Sequence, residues 1–188
     1  MTIPSLLSKL FNLIGYSKPS SAEKSLGFYE KGVKAAGQGK MIDAVEHFNA
    51  AIYQTPNVSK LFHHRADAYA KNEQHSAAIM DYDTAVRINP EYPDTYLDRG
   101  NSRYAIGDLE KAVQDFSEAI RLNDSWAEAY ANRAVVYAEQ GNPARSDQDA
   151  EKARLLGVDQ NRLDEMLSAV RSGTVSYTHL TLPTKRIV

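Results

Sequence analysis

The chain has 188 residues, of which 43% are hydrophobic and 24% charged, and a formal net charge of −2, all ordinary values for a globular domain. It contains no cysteine, which excludes a disulfide framework and a thiolate zinc site. Residues 59–160 hold 12 lysines and arginines against 18 aspartates and glutamates. This acidic balance argues against a nucleic acid as the main partner, because phosphate binding needs a basic face.

The first predicted element is an amphipathic helix over residues 4–14, followed by a linker over residues 16–24. Its apolar side consists of Leu6, Leu7, Leu10, Phe11 and Ile14. Three interpretations stay open: the helix packs on the edge of the domain that follows, lies on a membrane surface, or folds into a groove of the same chain. The sequence has neither an apolar run of about 20 residues nor a secretory signal, so we expect a cytoplasmic protein.

Residues 25–160 consist of four gapless copies of a 34-residue unit, namely residues 25–58, 59–92, 93–126 and 127–160. Position 4 of the unit is always aromatic, position 8 is Gly or Ala, and position 27 is always Ala. Apolar and small residues recur at intervals of three and four, which predicts helices. Gly39, Gly107 and Gly141 are placed to end the first helix of a copy, and Pro56 and Pro90 follow the second. Each copy is therefore predicted to be a pair of helices that pack closely through their small residues.

The repeat resembles the tetratricopeptide repeat family over 136 of 188 residues. The resemblance implies an all-α, right-handed α-solenoid of four helix pairs, whose first helices line a concave groove. The fourth copy departs from the pattern at Ser146 and Ala150. Residues 161–173 repeat apolar side chains at helical spacing, which predicts a capping helix over the last open face.

The last residues, 174–188, do not continue the helical period. Residues 175–184 resemble an in-frame translation of a sequencing-library adapter, so we interpret this tail as non-native. A natural disordered tail is the alternative. If the tail is non-native, the native sequence is interrupted near Gly173 or Thr174, and the sequence leaves open whether the native chain continues from there.

Arginine and aspartate recur together in three of the four copies. Arginine stands at position 7 and aspartate at position 23, and both are missing from the first copy. Because a buried arginine is costly unless a carboxylate pairs with it, we predict a structural ladder between the two helices of each copy. Its members are Arg65, Asp81, Arg99, Asp115, Arg133 and Asp149.

The resemblance also implies which side chains line the groove. The candidates are Tyr29, Val33, His63, Asp67, Leu97, Asn101, Tyr104 and Val135. The carboxylate clamp of the family's chaperone-tail binders is not met, since Asp94 and Asp98 stand where basic residues are needed and Val33 replaces the first asparagine. An acidic wall with apolar anchors suits a basic or amphipathic peptide.

Catalysis has little support, because the chain lacks the usual nucleophile, phosphate-loop and metalloprotease motifs. His63, His64, Asp67 and His75 form the nearest constellation, but the sequence shows no third or fourth metal ligand at a convincing position. We therefore expect no enzyme, no cofactor and no metal site. The predicted function is a scaffold that binds a peptide or protein. The alternatives are a regulatory array of a longer protein and a peripheral membrane adaptor that uses residues 4–14.

Overall fold

The computed structural model describes residues 18–173, so the predicted amphipathic helix over residues 4–14 and the tail over residues 174–188 lie outside the described part. The described residues form nine α-helices. They are α1 (Ser21–Gly37), α2 (Met41–Gln54), α3 (Ser59–Lys71), α4 (His75–Ile88), α5 (Pro93–Ala105), α6 (Leu109–Leu122), α7 (Ala127–Glu139), α8 (Pro143–Leu155) and α9 (Gln160–Arg171). None of these helices is long and apolar enough to cross a membrane.

The first helix begins earlier than the repeat pattern predicts. The Ser20 hydroxyl accepts a hydrogen bond from the Glu23 backbone N–H at 3.2 Å, and the Glu23 carboxylate accepts one from the Ser20 N–H at 2.7 Å. This capping box satisfies two N–H groups that a helix start leaves free. Residues 21–24, predicted as part of a linker, therefore belong to α1.

The first helix of every copy ends at a residue with left-handed backbone geometry. This residue is position 15 of the unit, and its φ is 77° at Gly39, 79° at Gly107 and 69° at Gly141. In the second copy the same position is Glu73, with a φ of 60°. Glycine adopts this geometry without steric cost, whereas a side chain is strained there. The second copy thus makes the common turn with an unfavourable residue.

In the first and third copies the two helices approach closely at position 8 of the unit. A Cβ built on Gly100 would lie 2.7 Å from a ring carbon of Phe116, and one on Gly32 would lie 2.6 Å from Phe48. Both rings are buried, so they have little room to withdraw. Glycine is required in these two copies because the phenylalanine ring occupies the space that a methyl group needs.

The pairs stack in chain order, each packing on the next. The first helices α1, α3, α5 and α7 also contact one another in sequence, whereas the second helices of neighbouring copies stay further apart in residues 18–173. The array therefore curves toward its first helices, which form the inner face. Helix α9 packs against α7 and buries Leu163, Met166 and Leu167. This is the all-α solenoid with a capping helix that the sequence predicts.

Candidate functional site

Three predicted groove residues keep accessible surface, two of them on α1 and one on α5. Val33 is 43% exposed, and Tyr29 and Asn101 are half-buried. These three predicted groove residues are accessible to a ligand. Asn101 accepts a hydrogen bond at 2.9 Å from the Asn132 side-chain amide of the next copy, so it also takes part in the contact between two first helices.

The other five predicted groove residues are buried, namely His63 and Asp67, which are described below, and three apolar residues. Leu97, Tyr104 and Val135 are 0%, 2% and 1% exposed. Leu97, Tyr104 and Val135 belong to one hydrophobic core with residues of α5–α9. In this chain, the positions that line the groove in the resemblance are the positions at which neighbouring first helices pack together. Their placement in the groove is therefore corrected: in this structure these side chains stabilise the stack and cannot contact a peptide.

An apolar cleft of about 290 Å³ lies between the first and second copies. Its lining includes Leu26 and Tyr29 of α1, Val58 of the connecting loop, and Lys60 and Leu61 of α3. Leu26 is 56% and Val58 41% exposed, and the Lys60 ammonium lies 5.0 Å from the centre of the Tyr29 ring. The residues therefore form an open apolar pocket with one cation at its rim. Val58 was missed from sequence, because it lies in a loop outside the helical pattern.

A polar cluster forms where the second copy meets the third. His63, which is 2% exposed, has its Nε2 atom 3.7 Å from the Asp67 carboxylate and 3.7 Å from that of Asp98 on α5. The His64 Nδ1 atom is 3.4 Å from the same Asp67 oxygen. Tyr82 donates a hydrogen bond to the other Asp67 oxygen at 2.8 Å. The structure thus brings His63 and Asp67 close to His64 and Asp98, two residues that are not among the predicted groove residues.

Each predicted arginine contacts the predicted aspartate of its own copy through two nitrogen atoms. Arg65 donates to both Asp81 oxygens at 2.6 Å, and Arg133 donates to Asp149 at 2.7 and 2.9 Å. The hydrogen bond with Asp81 raises the pKa of Arg65 above its usual value. Such two-point pairs fix the orientation of both side chains, so each one joins the first helix of a copy to its second.

Each arginine also contacts the preceding copy, which sequence reasoning missed. The Nη1 atom of Arg65, Arg99 and Arg133 donates to a polar side chain at position 25 of the previous copy. The acceptors are Asn49 at 2.5 Å, Asp83 at 2.7 Å and Ser117 at 2.9 Å. The signal was present, since a hydrogen-bonding residue recurs there with the 34-residue period. The arginines therefore join three helices, not two.

The third copy has the most extensive of the three networks. The Asp115 side chain is only 3% exposed and accepts hydrogen bonds from Arg99 at 2.7 Å and from Arg103 at 2.8 Å. Burial raises the pKa of Asp115, while the two guanidinium groups act in the opposite direction. One buried carboxylate thus holds two arginines at the centre of the array.

Known proteins resemble this chain mainly in its repeats. The family model described as TPR repeat matches residues 66–107 and 100–141. RNA polymerase II-associated protein 3 from Homo sapiens is 32% identical over 90 residues, which are 48% of this chain and 14% of that protein. The chain therefore matches only a small fraction of the length of this relative.

Solved structures agree with the family match. The first TPR of Spaghetti (RPAP3), bound to the HSP90 peptide SRMEEVD, has a TM-score of 0.63 and 28% identity, and covers 65% of this chain and 97% of that one. MamA has a TM-score of 0.74 at 19% identity, covering 81% of this chain and 83% of the other, and it supports the fold alone. Four copies of the 34-residue helix pair, the match over residues 66–141 and these structures lead to one conclusion: the chain contains tetratricopeptide repeats, and its described residues have the fold of a tetratricopeptide-repeat solenoid.

Proposed function

We propose that this protein is a scaffold that binds a peptide segment of a partner protein on the inner face of its solenoid. The observation that carries the proposal is the open apolar cleft lined by Leu26, Tyr29, Val58 and Leu61. Exposed apolar side chains gathered in a concave site are typical of peptide recognition, since each Å² of apolar surface removed from water contributes roughly 25 cal/mol.

The charges beside the cleft favour a basic or amphipathic peptide. Further along the inner face lie the half-buried Asp94 and Asp98, whose side chain is 12% exposed. Opposite charge across an interface speeds encounter and selects partners. We propose that an apolar side chain enters the cleft while basic side chains of the same peptide face these carboxylates.

A chaperone-tail peptide is the second candidate, and the likeness to the Spaghetti domain favours it. The peptide SRMEEVD named for that complex carries two glutamates and an aspartate. On this chain its acidic end would approach Asp94 and Asp98 in place of basic side chains, and like charges repel. We therefore propose that this groove prefers other sequences.

The test is a binding measurement with labelled peptides and three forms of the chain. We expect basic amphipathic peptides from an array to bind the wild type, and SRMEEVD to bind more weakly. Leu26→Glu should abolish the binding, because it places a charge in the cleft. Tyr53→Glu is the matched control, since Tyr53 is 86% exposed on α2, away from the inner face, and this variant should bind normally. Equal loss in both variants would contradict the groove as the binding site.

We further propose that the chain itself is not an enzyme and that it acts in the cytoplasm. A regulatory array within a longer protein is compatible with the same groove, and its relatives include much longer proteins. The membrane-adaptor alternative depends on residues 4–14, which are not described. Vesicle co-sedimentation with and without residues 1–18 tests it, and identical behaviour of the two forms would exclude it.

A further inference from the structure

The cluster at the junction of the second and third copies has the composition of a metal site. It combines two imidazoles and two carboxylates, His63, His64 and Asp67 from α3 and Asp98 from α5. One ligand atom from each of the three α3 residues lies within 4.8 Å of the other two. The sequence already places His63, His64 and Asp67 close together on one helix, and the fold adds the neighbouring copy's Asp98.

The spacing of the three α3 ligand atoms suits a tetrahedral zinc site, for which Asp98 beside His63 is the candidate fourth ligand. Zinc binds histidine nitrogen and carboxylate oxygen at about 2.0–2.1 Å, so neighbouring ligand atoms of a tetrahedral site are about 3.3–3.4 Å apart. The His64–Asp67 separation is 3.4 Å, and both separations from His63 Nε2 are 3.7 Å. The three α3 ligand atoms need only small shifts to surround an ion, because all lie within 4.8 Å of one another. Asp98 is not part of that group and has to move from its position 3.7 Å from His63 Nε2 toward the other two ligands.

Neighbouring residues orient the proposed ligands as in established metal sites. His63 Nδ1 is 3.1 Å from the Thr95 hydroxyl, which leaves Nε2 directed at the two carboxylates. Tyr82 donates to one Asp67 oxygen and leaves the other oxygen facing both histidines. Hydrogen bonds of this kind fix the tautomer and direction of metal ligands, and their loss costs 10- to 100-fold in affinity, as an order of magnitude.

Electrostatics also favours a dication at this position. The side chains of Asp67 and Asp98 are only 10% and 12% exposed, and both lie beside the same imidazole. Nearly buried carboxylates are costly unless positive charge or hydrogen bonds compensate for lost hydration. A bound Zn²⁺ would balance two carboxylates at once, with imidazole nitrogen as a preferred partner.

We propose that His63, His64, Asp67 and Asp98 bind one Zn²⁺ between α3 and α5. The ion would join the second copy to the third, since three ligands come from one copy and the fourth from the next. Asp98 is also among the carboxylates proposed to face a basic peptide, so the zinc titration is carried out without peptide and its outcome does not depend on peptide binding. It gives this junction a stabilising contact that depends on a metal.

The test is calorimetric titration of the chelator-treated full chain with zinc chloride. We expect one strong site per chain. His64→Ala and Asp98→Asn should each weaken it by at least about tenfold, and Thr95→Val by about 10- to 100-fold. His47→Ala on α2 and Asp94→Asn on α5 are matched controls outside the cluster, and both should bind zinc as the wild type does. Circular dichroism checks that every variant folds.

A second readout separates this site from adventitious binding by other histidines. Added zinc should raise the melting temperature of the wild type, because an ion that binds only the folded chain stabilises it. It should raise the melting temperature of His47→Ala equally and that of Asp98→Asn much less. Absence of a strong site, or equal affinity in the wild type and the His64→Ala and Asp98→Asn variants, would overturn the proposal.

Discussion

Replacing Asp115 with alanine should be among the most damaging changes to the arginine network. The carboxylate is 3% exposed and accepts four hydrogen bonds of 2.7–3.2 Å, three from Arg99 and one from Arg103. Its removal leaves two guanidinium groups, 11% and 13% exposed, without this buried counter-charge. Breaking a buried pair by removing one partner costs about 3–5 kcal/mol. Because both arginines keep Asp83 as a neighbour, we expect the lower end of this range, about 3 kcal/mol.

Asp83→Ala is the matched control, since Asp83 contacts the same two arginines but is 52% exposed. Solvent screens such a pair, so its loss should cost less than about 1 kcal/mol. The assay is urea unfolding followed by circular dichroism and by fluorescence of Trp126, the single tryptophan. Two probes are needed because repeat arrays can unfold in parts. Equal free energies of unfolding for the two variants would refute the reasoning from burial.

Three further predictions concern single positions. Gly100→Ala should lower the melting temperature, because overpacking against Phe116 costs about 1–3 kcal/mol and exceeds the gain of about 1 kcal/mol in helix propensity. Gly27→Ala is the control and should raise the melting temperature, since no atom lies within 4 Å of the new Cβ. A shift of the same sign in both variants would contradict the role of packing. Glu73→Gly should stabilise the chain by about 1 kcal/mol in urea unfolding, since it relieves a φ of 60° in the left-handed region, and a loss of stability would show that the side chain matters more than the strain. Burial lowers the pKa of His75, while Glu73 acts in the opposite direction. The unfolded chain therefore binds more protons at this residue, and the stability of the fold should decrease as the pH drops below about 6.5. His75→Gln should reduce this decrease, and identical pH profiles of the melting temperature in the wild type and the variant would exclude a contribution from His75.

The 34-residue period predicted most of the fold because it records local constraints. A glycine at position 15 ends a helix wherever it occurs, and Gly100 opposite Phe116 reflects contact within one copy. The start of α1 was missed although its signal was present, since Ser20 and Glu23 have the spacing of a capping box. The 34-residue period begins at residue 25, so the capping box lies outside the pattern that predicted the helices.

The candidate site was less predictable because it depends on how neighbouring copies pack. Leu97 and Val135 occupy positions that the resemblance places in the groove, yet both are buried between first helices. The repeat period does not predict the packing angle between adjacent copies, and this angle determines how much of each side chain remains exposed. For the same reason the approach of Asp98 to His63, 35 residues away, emerged only from the structure.

The most direct test of the central claim is to map peptide binding onto the backbone by NMR. A basic amphipathic peptide selected for binding would be added to the isotope-labelled chain, and amide chemical shifts recorded at each step. We predict that the largest changes fall on α1 and α3, around Leu26 and Val58, and continue to Asp98 on α5. Changes confined to the second helices α2, α4, α6 and α8 would contradict it.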